Sequence, residues 1–246
     1  MIFTGLRNIW PRTRFDPEGA HCAPFDSVSF SMAKRSPFDV EITPELIVRA
    51  YRAGIFPMAE DAQDEDLFWV SPEMRGVIPL DAFHLSTSLK KAIRKSPFTI
   101  KVDTDFEAII EGCATVGQDR NSTWINRTIR LVYGELFRRG IAHTVEVWDG
   151  PDLVGGLYGL AIGGAFFGES MFHRRTNASK MAMAHLVERL NAGGFTLLDT
   201  QFVTDHLASL GGIEIPRSLY EERLAEALQV EGDWRSWDRM QLSPSV

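Results

Sequence analysis

Cysteine is nearly absent from this sequence: Cys22 and Cys113 are the only two, with no CxxC spacing. A disulfide framework and a thiolate zinc site are excluded, and two lone thiols fit a reducing compartment. Long apolar runs are missing as well. None reaches the roughly 20 residues a membrane helix needs, and the first residues lack the apolar core of a signal peptide. The chain therefore reads as a cytoplasmic protein with no membrane partner. Net positive charge is lacking: 26 Lys and Arg against 33 Asp and Glu leave −7. A whole-surface nucleic-acid binder is disfavoured, while a local cationic patch is still allowed. Several catalytic signatures are missing too. There is no GxxxxGK[ST] loop and no HExxH, and Gly168-Glu169-Ser170-Met171-Phe172 fails the GxSxG pattern at its last position. The histidines lack metal spacing, so no metal or other cofactor is expected. His173 and His206 read as structural or general polar groups. No internal repeat or low-complexity tract is found.

What is present fits one main domain with a smaller module in front. At 246 residues the chain can bury a substantial core. Residues 1–33 mix Pro, Gly, Arg and Ser without a period; they read as a disordered extension, or as sequence upstream of a natural start at Met32. Residues 34–80 form the small N-terminal module. In it Thr43-Pro44 opens a helix with Leu46, Ile47, Ala50 and Tyr51 inward, and Gly54 ends it. An acidic loop, Glu60 to Asp66, follows; Phe68 to Pro72 resumes order and Gly76–Leu80 reads as a strand. Residues 81–230 form the main domain, and 231–246 an irregular tail.

The most ordered stretch runs from Leu153 to His206. Leu153–Ile162 and Ala165–Phe172 are glycine-punctuated strands, Asn177 opens a helix of apolar period 3.6, and Gly193-Gly194 stops it. Phe195–Leu198 is a buried strand ending in Asp199-Thr200-Gln201. Hairpin-length links around Ala142–Asp149 and the next two strands predict antiparallel pairing, and the strand–helix–strand unit from Ala165 to Leu198 predicts a right-handed parallel crossover. The expected fold is α/β (α+β), a GNAT-like mixed-sheet acyltransferase layout.

Three groups of residues carry candidate chemistry. Asp199 and Gln201 alternate with Thr200, so both can point to one face at a strand end. Gln201 does not titrate near neutral pH, so its use is orientation or hydrogen bonding to developing charge; Asp199 can orient Gln201 or accept a proton from an incoming amine. Lys90, Lys91, Arg94 and Lys95 lie within two helical turns. They read either as a solvated face or as a phosphate-binding patch of the salt-sensitive, sequence-blind kind. Phe56, Met58, Trp124, Phe166 and Phe167 read either as core or as the lining of an apolar pocket. The turn from His173 to Lys180 offers cations and a helix start but lacks the glycines that let a CoA pyrophosphate approach, so a CoA thioester donor is disfavoured.

Taken in order, Gly54-Ile55-Phe56-Pro57, Trp69-Val70-Ser71-Pro72, Thr123-Trp124-Ile125, His143–Trp148, Leu153–Gly159, Phe167–Phe172, Asn177–Lys180, Asp199-Thr200-Gln201, His206, Ser209-Leu210-Gly211 and Ile215-Pro216-Arg217 resemble the bacterial leucyl/phenylalanyl-tRNA–protein transferases over about Phe38 to Tyr220. The resemblance implies an aminoacyltransferase that moves Leu, Phe or Met from aminoacyl-tRNA to the α-amine of proteins beginning with Arg or Lys, feeding N-degron degradation without ATP or metal. It implies a catalytic role for Asp199 and Gln201, an aminoacyl-adenosine site around Met58, Trp124, Phe166 and Glu169, and tRNA contact through Lys90, Lys91, Arg94 and Lys95. Two positions depart from the family pattern: Met58 stands where many members have Trp, and Thr200 where Cys is frequent. Rival readings are another aminoacyl-tRNA-dependent GNAT-type transferase, such as one building cell-wall peptide bridges, a non-catalytic tRNA-binding adaptor, and a CoA acetyltransferase. Nothing in the sequence demands more than a monomer.

Overall fold

A computed structural model of the chain describes residues 41–64, 66–115 and 123–242. The expected extension over 1–33, the alternative start at Met32 and the first cysteine lie outside the described residues. Helix α1 (Pro44–Arg52) begins as its sequence dictates: Pro44 occupies the first turn and the Thr43 hydroxyl accepts from Leu46 N–H at 3.2 Å. It buries Leu46, Ile47, Ala50 and Tyr51. Strands β1 (Phe56–Met58) and β2 (Phe68–Val70) then pair antiparallel around the acidic loop.

The main sheet has seven strands: β3 (Met74–Ile78), β4 (Thr99–Val102), β5 (Ala142–Asp149), β6 (Asp152–Ile162), β7 (Ala165–His173), β8 (Leu197–Gln201) and β9 (Ile213–Pro216). Their order is β4-β5-β6-β7-β8-β3-β9. Every pair is antiparallel except β7 with β8, the crossover pair that the sequence predicts. The helices are α2 (Thr87–Lys95), α3 (Phe106–Ala114), α4 (Arg127–Arg138), α5 (Ala178–Ala192), the short α6 (Asp205–Ala208), α7 (Arg217–Ala227) and α8 (Ser236–Leu242). The result is the mixed α/β layout expected of the sequence.

Each face of the sheet carries its own core. Helices α1, α3, α4 and α7 bury Ile47, Ile109, Ile129, Leu136 and Leu224 against one side. On the other side α5 inserts Ala182, Leu186 and Leu190, joined by Leu89 of α2, Leu207 of α6 and Trp234 of the tail. The glycines of β6 explain how helices approach so closely on both sides. A Cβ at Gly155 would stand 2.6 Å from Ala178 Cβ on α5, and one at Gly156 would overlap Ile109 Cδ1 on α3.

Three local features differ from the sequence reading. The strand placed with the front module is β3, and it lies inside the main sheet between β8 and β9; its position is set by long-range pairing, which no local pattern encodes. The edge strand β9 is not predicted, because Ile213 to Pro216 is too short to display a period. The tail is not wholly irregular: α8 forms, with Arg189 on α5 bonded to Asp238 at 2.9 and 2.5 Å.

Gly159 provides a direct test of this packing. A Cβ there would overlap the Phe167 carbonyl oxygen and press on the Phe166 ring, so backbone must move. Gly159→Ala is expected to destabilise the protein by about 1–3 kcal/mol, although the same change at an open site would stabilise it through the unfolded chain. Urea unfolding of the two proteins measures the sign.

Candidate active site

The site is built where two neighbouring strands separate. Strands β7 and β8 pair only from Ala165↔Leu197 to Phe167↔Asp199, and then part. Just beyond that point β7 carries an extra residue. Gly168 faces Gly159 and Ser170 faces Tyr158, which leaves Glu169 unmatched in the ladder. Strand β8 is irregular at the same level: Gly76 faces Gln201 and Val77 faces Asp199, so Thr200 is the extra residue there. Bulges re-aim side chains and end pairing, and here two of them flank the opening. Gln201 completes the distortion at φ 59°, in the left-handed region. Gly76 permits it, since a Cβ there would sit 2.5 Å from the Phe202 carbonyl carbon.

Asp199 is fully buried and every acceptor position on it is occupied. Its Oδ1 accepts from Arg75 Nε at 2.9 Å and from Gln201 N–H at 2.8 Å. Its Oδ2 accepts from Arg75 Nη2 at 2.7 Å and from the Tyr220 hydroxyl at 2.8 Å. Arg75, equally buried, donates its remaining Nη1 to the Gly54 carbonyl at 3.0 Å and lies over the rings of Phe56 and Tyr220 at 4.6 and 4.4 Å. The four hydrogen bonds leave no oxygen lone pair of Asp199 free for an incoming amine. Asp199 grips the backbone of Gln201 and not its carboxamide.

The carboxamide of Gln201 reaches across the gap to Glu169, with Nε2 donating to Oε1 at 3.3 Å. Glu169 Oε1 also accepts from the Tyr51 hydroxyl at 2.7 Å, and Oε2 from Tyr133 at 3.4 Å; the two tyrosine hydroxyls are 2.5 Å apart. Burial pushes the Glu169 carboxyl up to about 8, with the nearby Asp199 charge raising it further and the Tyr51 hydrogen bond opposing. Tyr51 and Tyr133 are themselves driven well above the ordinary phenol range, chiefly by burial and then by the charge of Glu169. The two strand ends therefore present one carboxylate locked in an ion pair and one poised to titrate near neutrality.

Beside them lies an apolar cavity of about 30 Å³. Its walls include Leu157, Met171, Met183, Leu186 and Leu198, and Gly168, Glu169 and Thr200 stand at the strand ends. Met58 and Trp124 are half-buried and pack on the cluster that contains Tyr51 and Tyr133. Phe166 is fully buried on the other face of the sheet, in the cluster that contributes the cavity's apolar walls, and is not itself part of the lining. Lys90, Lys91, Arg94 and Lys95 are all exposed on α2, and none meets a carboxylate among the described residues. Lys90 and Arg94, one turn apart, border a groove of about 400 Å³ shared with Met181, His185 and Glu188 of α5. Among the described residues no three His, Cys, Asp or Glu side chains converge as metal ligands, and no helix is long and apolar enough to cross a membrane.

Four residues of this site escape the sequence reading: Arg75, Tyr133, Tyr220 and, as a polar group, Tyr51. Arg75 has a signal, a lone cation inside the short strand Met-Arg-Gly-Val-Ile. The tyrosines have none, since each sits at an ordinary inward position of its helix.

Comparisons with known proteins identify the family. The sequence model described as leucyl/phenylalanyl-tRNA protein transferase matches residues 77–225, and the model of that family's N-terminal domain matches 40–73. The chain is similar to the leucyl/phenylalanyl-tRNA–protein transferase of Afipia carboxidovorans, at 54% identity over 82% of this chain and 89% of that one. It is similar to the same enzyme of Rhodospirillum rubrum at 55% identity, over 79% of this chain and 92% of that one. Among solved structures, L-PGS from Bacillus licheniformis is similar over 52% of this chain and 46% of that chain, with 10% identity and a TM-score of 0.36, too remote to bear on function. With a family model spanning most of its main sheet and relatives above half identity along nearly their whole length, the chain belongs to the leucyl/phenylalanyl-tRNA–protein transferases, aminoacyltransferases that pass an aminoacyl group from tRNA to protein.

Proposed function

We propose that this enzyme takes Leu, Phe or Met from aminoacyl-tRNA and joins it to the α-amine of proteins that begin with Arg or Lys, marking them for N-degron proteolysis in the cytoplasm. The observation that carries the donor reading is the apolar cavity at the parted ends of β7 and β8, next to Gln201 and Glu169. The cavity is narrow, and two of its walls are Met171 and Met183. Methionine repacks at low cost, so the pocket can open around unbranched or γ-branched side chains while a β-branched one crowds its mouth. One misplaced methyl is worth about 1–3 kcal/mol. Met58 and Trp124 would flank the terminal adenosine, and the cations of α2 would hold the phosphate backbone of the tRNA.

The chemistry needs little more than placement. The ester is already activated, and the acceptor amine, with a pKa of about 7.7–8.0, is partly neutral at cellular pH. In the proposed step the amine nitrogen bonds to the ester carbonyl carbon, the bond to the ribose oxygen breaks, and Gln201 Nε2 donates to the oxygen that gains charge. In the fraction of enzyme in which Glu169 is ionised, the proton leaving the amine passes to its carboxylate and from there to the departing ribose oxygen, so that no net proton is gained or lost. Glu169 does not serve as the counter-charge of the acceptor's first side chain, because its carboxyl is turned into the tyrosine pair and is largely neutral at pH 7.

Transfer of labelled Leu or Phe from charged tRNA to a peptide beginning with Arg, and not to one beginning with Glu, is the expected result of a direct assay. Equal transfer to both peptides would remove the acceptor half of the proposal, and tight tRNA binding without transfer would remove the enzymatic half. Substitutions separate the two polar groups. Gln201→Asn, which tolerates the left-handed backbone, is expected to lower kcat by about 10²–10³ with little change in the unfolding midpoint. Asp199→Ala is expected to lose activity and stability together, because it leaves Arg75 buried without its partner, a loss of about 3–5 kcal/mol.

Glu169 makes a further prediction about pH. Its folded-state pKa of about 8 lies above the ordinary carboxylate value of 4.5, so the folded protein holds a proton that the unfolded chain has released. Its contribution to stability is present below pH 4.5 and is lost as pH rises through 8. Chemical denaturation at pH 5 and pH 8.5 is expected to show a fall in stability for the wild type that is smaller in Glu169→Gln. An equal fall in both proteins would show that Glu169 is not the group responsible.

A further inference from the structure

The C-terminal tail beyond the family match, which ends at residue 225, is drawn onto the main sheet by Trp234. Its side chain is 6% exposed and held from several directions. The indole stacks on His143 at 4.3 Å and 24° and on Phe166 at 5.4 Å and 11°. Its Nε1 donates to Asp103 Oδ2 at 2.9 Å, the same oxygen that meets His143 Nδ1 at 2.9 Å. Asp103 is itself fixed in place, at φ 55° and with its other oxygen accepting from Thr144 N–H at 2.9 Å. Arg189 lies over the indole at 5.1 Å and donates to the Trp234 carbonyl at 2.8 Å. So many constraints on one ring imply that its position matters beyond closing the tail.

What the ring supports is Phe166. On its other side Phe166 meets the backbone of β6 at Gly159, where a Cβ would come within 2.5 Å of the phenyl ring. Its parallel partner across the sheet is Leu198. It shares one buried cluster with Leu157, Met183, Leu186, Leu198 and Leu207, all of which line the apolar cavity. The phenyl ring thus meets both β6 and Trp234, and its register partner Leu198 is one of the cavity's walls.

We propose that Trp234 is a specificity-determining residue acting at one remove. By backing Phe166 it sets how deep the acyl cavity extends, and therefore which aminoacyl side chains the enzyme accepts. Trp234 is not among the residues that line the cavity, so it is a positioning residue, and the proposal rests on the reading of the cavity as the acyl-donor site. The physical basis is close packing. Interiors hold few voids, and a wall backed by a filled space cannot retreat. Removing the indole leaves a space into which Phe166 can move, and the cavity gains depth toward larger acyl groups.

The test uses the full chain and one tRNA body charged in turn with leucine, phenylalanine and tryptophan, so that contacts to the tRNA itself cancel. In Trp234→Ala the ratio of kcat/KM for phenylalanine over leucine is expected to rise about tenfold, and tryptophan transfer to become measurable. Trp234→Phe, which retains an aromatic ring against Phe166, is expected to keep the wild-type ratio within about twofold. A purely structural role would lower all three donors in parallel and leave the ratio unchanged, and that outcome overturns the proposal. If Trp234→Ala does not fold, Trp234→Leu is read by the same ratio, with the same two outcomes. A wild-type enzyme that transfers no acyl group at all would instead overturn the donor reading and this proposal with it.

Discussion

The buried ion pair between Arg75 and Asp199 is the constraint from which the rest of the site follows. Two charges removed from water cost far more than one contact returns. Here the cost is offset by complete satisfaction: four hydrogen bonds on the carboxylate, a third bond from the guanidinium to the Gly54 carbonyl, and two aromatic faces. These partners come from the turn after α1, from β1, from β3, from β8 and from α7. One interaction therefore ties the front module, the centre of the sheet and the last long helix together. It holds because each partner is itself fixed, which is also why losing either charge would be felt well beyond the site.

That anchor is what allows the neighbouring strands to be irregular. β8 leaves β7 after Asp199, carries an extra residue at Thr200 and turns through a left-handed Gln201, all costly in a free strand. The Asp199 carboxylate holds the Gln201 N–H and supplies the compensation. On the opposite strand the extra residue is Glu169, whose carboxyl is turned into the tyrosine pair of α1 and α4. The opening between the strands is thus lined by two distortions, one held by charge and the other by phenols.

How much of this the sequence discloses depends on the range of the forces involved. The hairpin strands, the crossover, the capped helices and the strand-end pair Asp199 and Gln201 follow from local periodicity and turn chemistry, and they are legible. So is the glycine pattern of β6, although its reason, helices against both faces, needs the packing. The place of β3 in the sheet is not legible, because strand order is decided by partners far along the chain. Arg75 looks like an exposed cation in a short strand until its partner 124 residues away is known. Tyr51 and Tyr133 occupy core positions in their helices, and they are core; what the sequence cannot say is that their hydroxyls point at one carboxylate.

Under the proposed mechanism, the contrast between the two acids gives each a separate use. A carboxylate with every acceptor position filled is a rigid post that holds the backbone of Gln201 in place. A carboxyl pushed up toward neutrality by burial is the opposite, a group whose proton can be held or released within the range in which an amine also titrates. Were Glu169 ion-paired like Asp199, the proposed step would lack its nearby proton acceptor. Were Asp199 as poorly compensated as Glu169, the strand end that positions Gln201 would shift with its charge. The division of labour comes from the surroundings: Arg75 faces one carboxyl, and two phenols face the other.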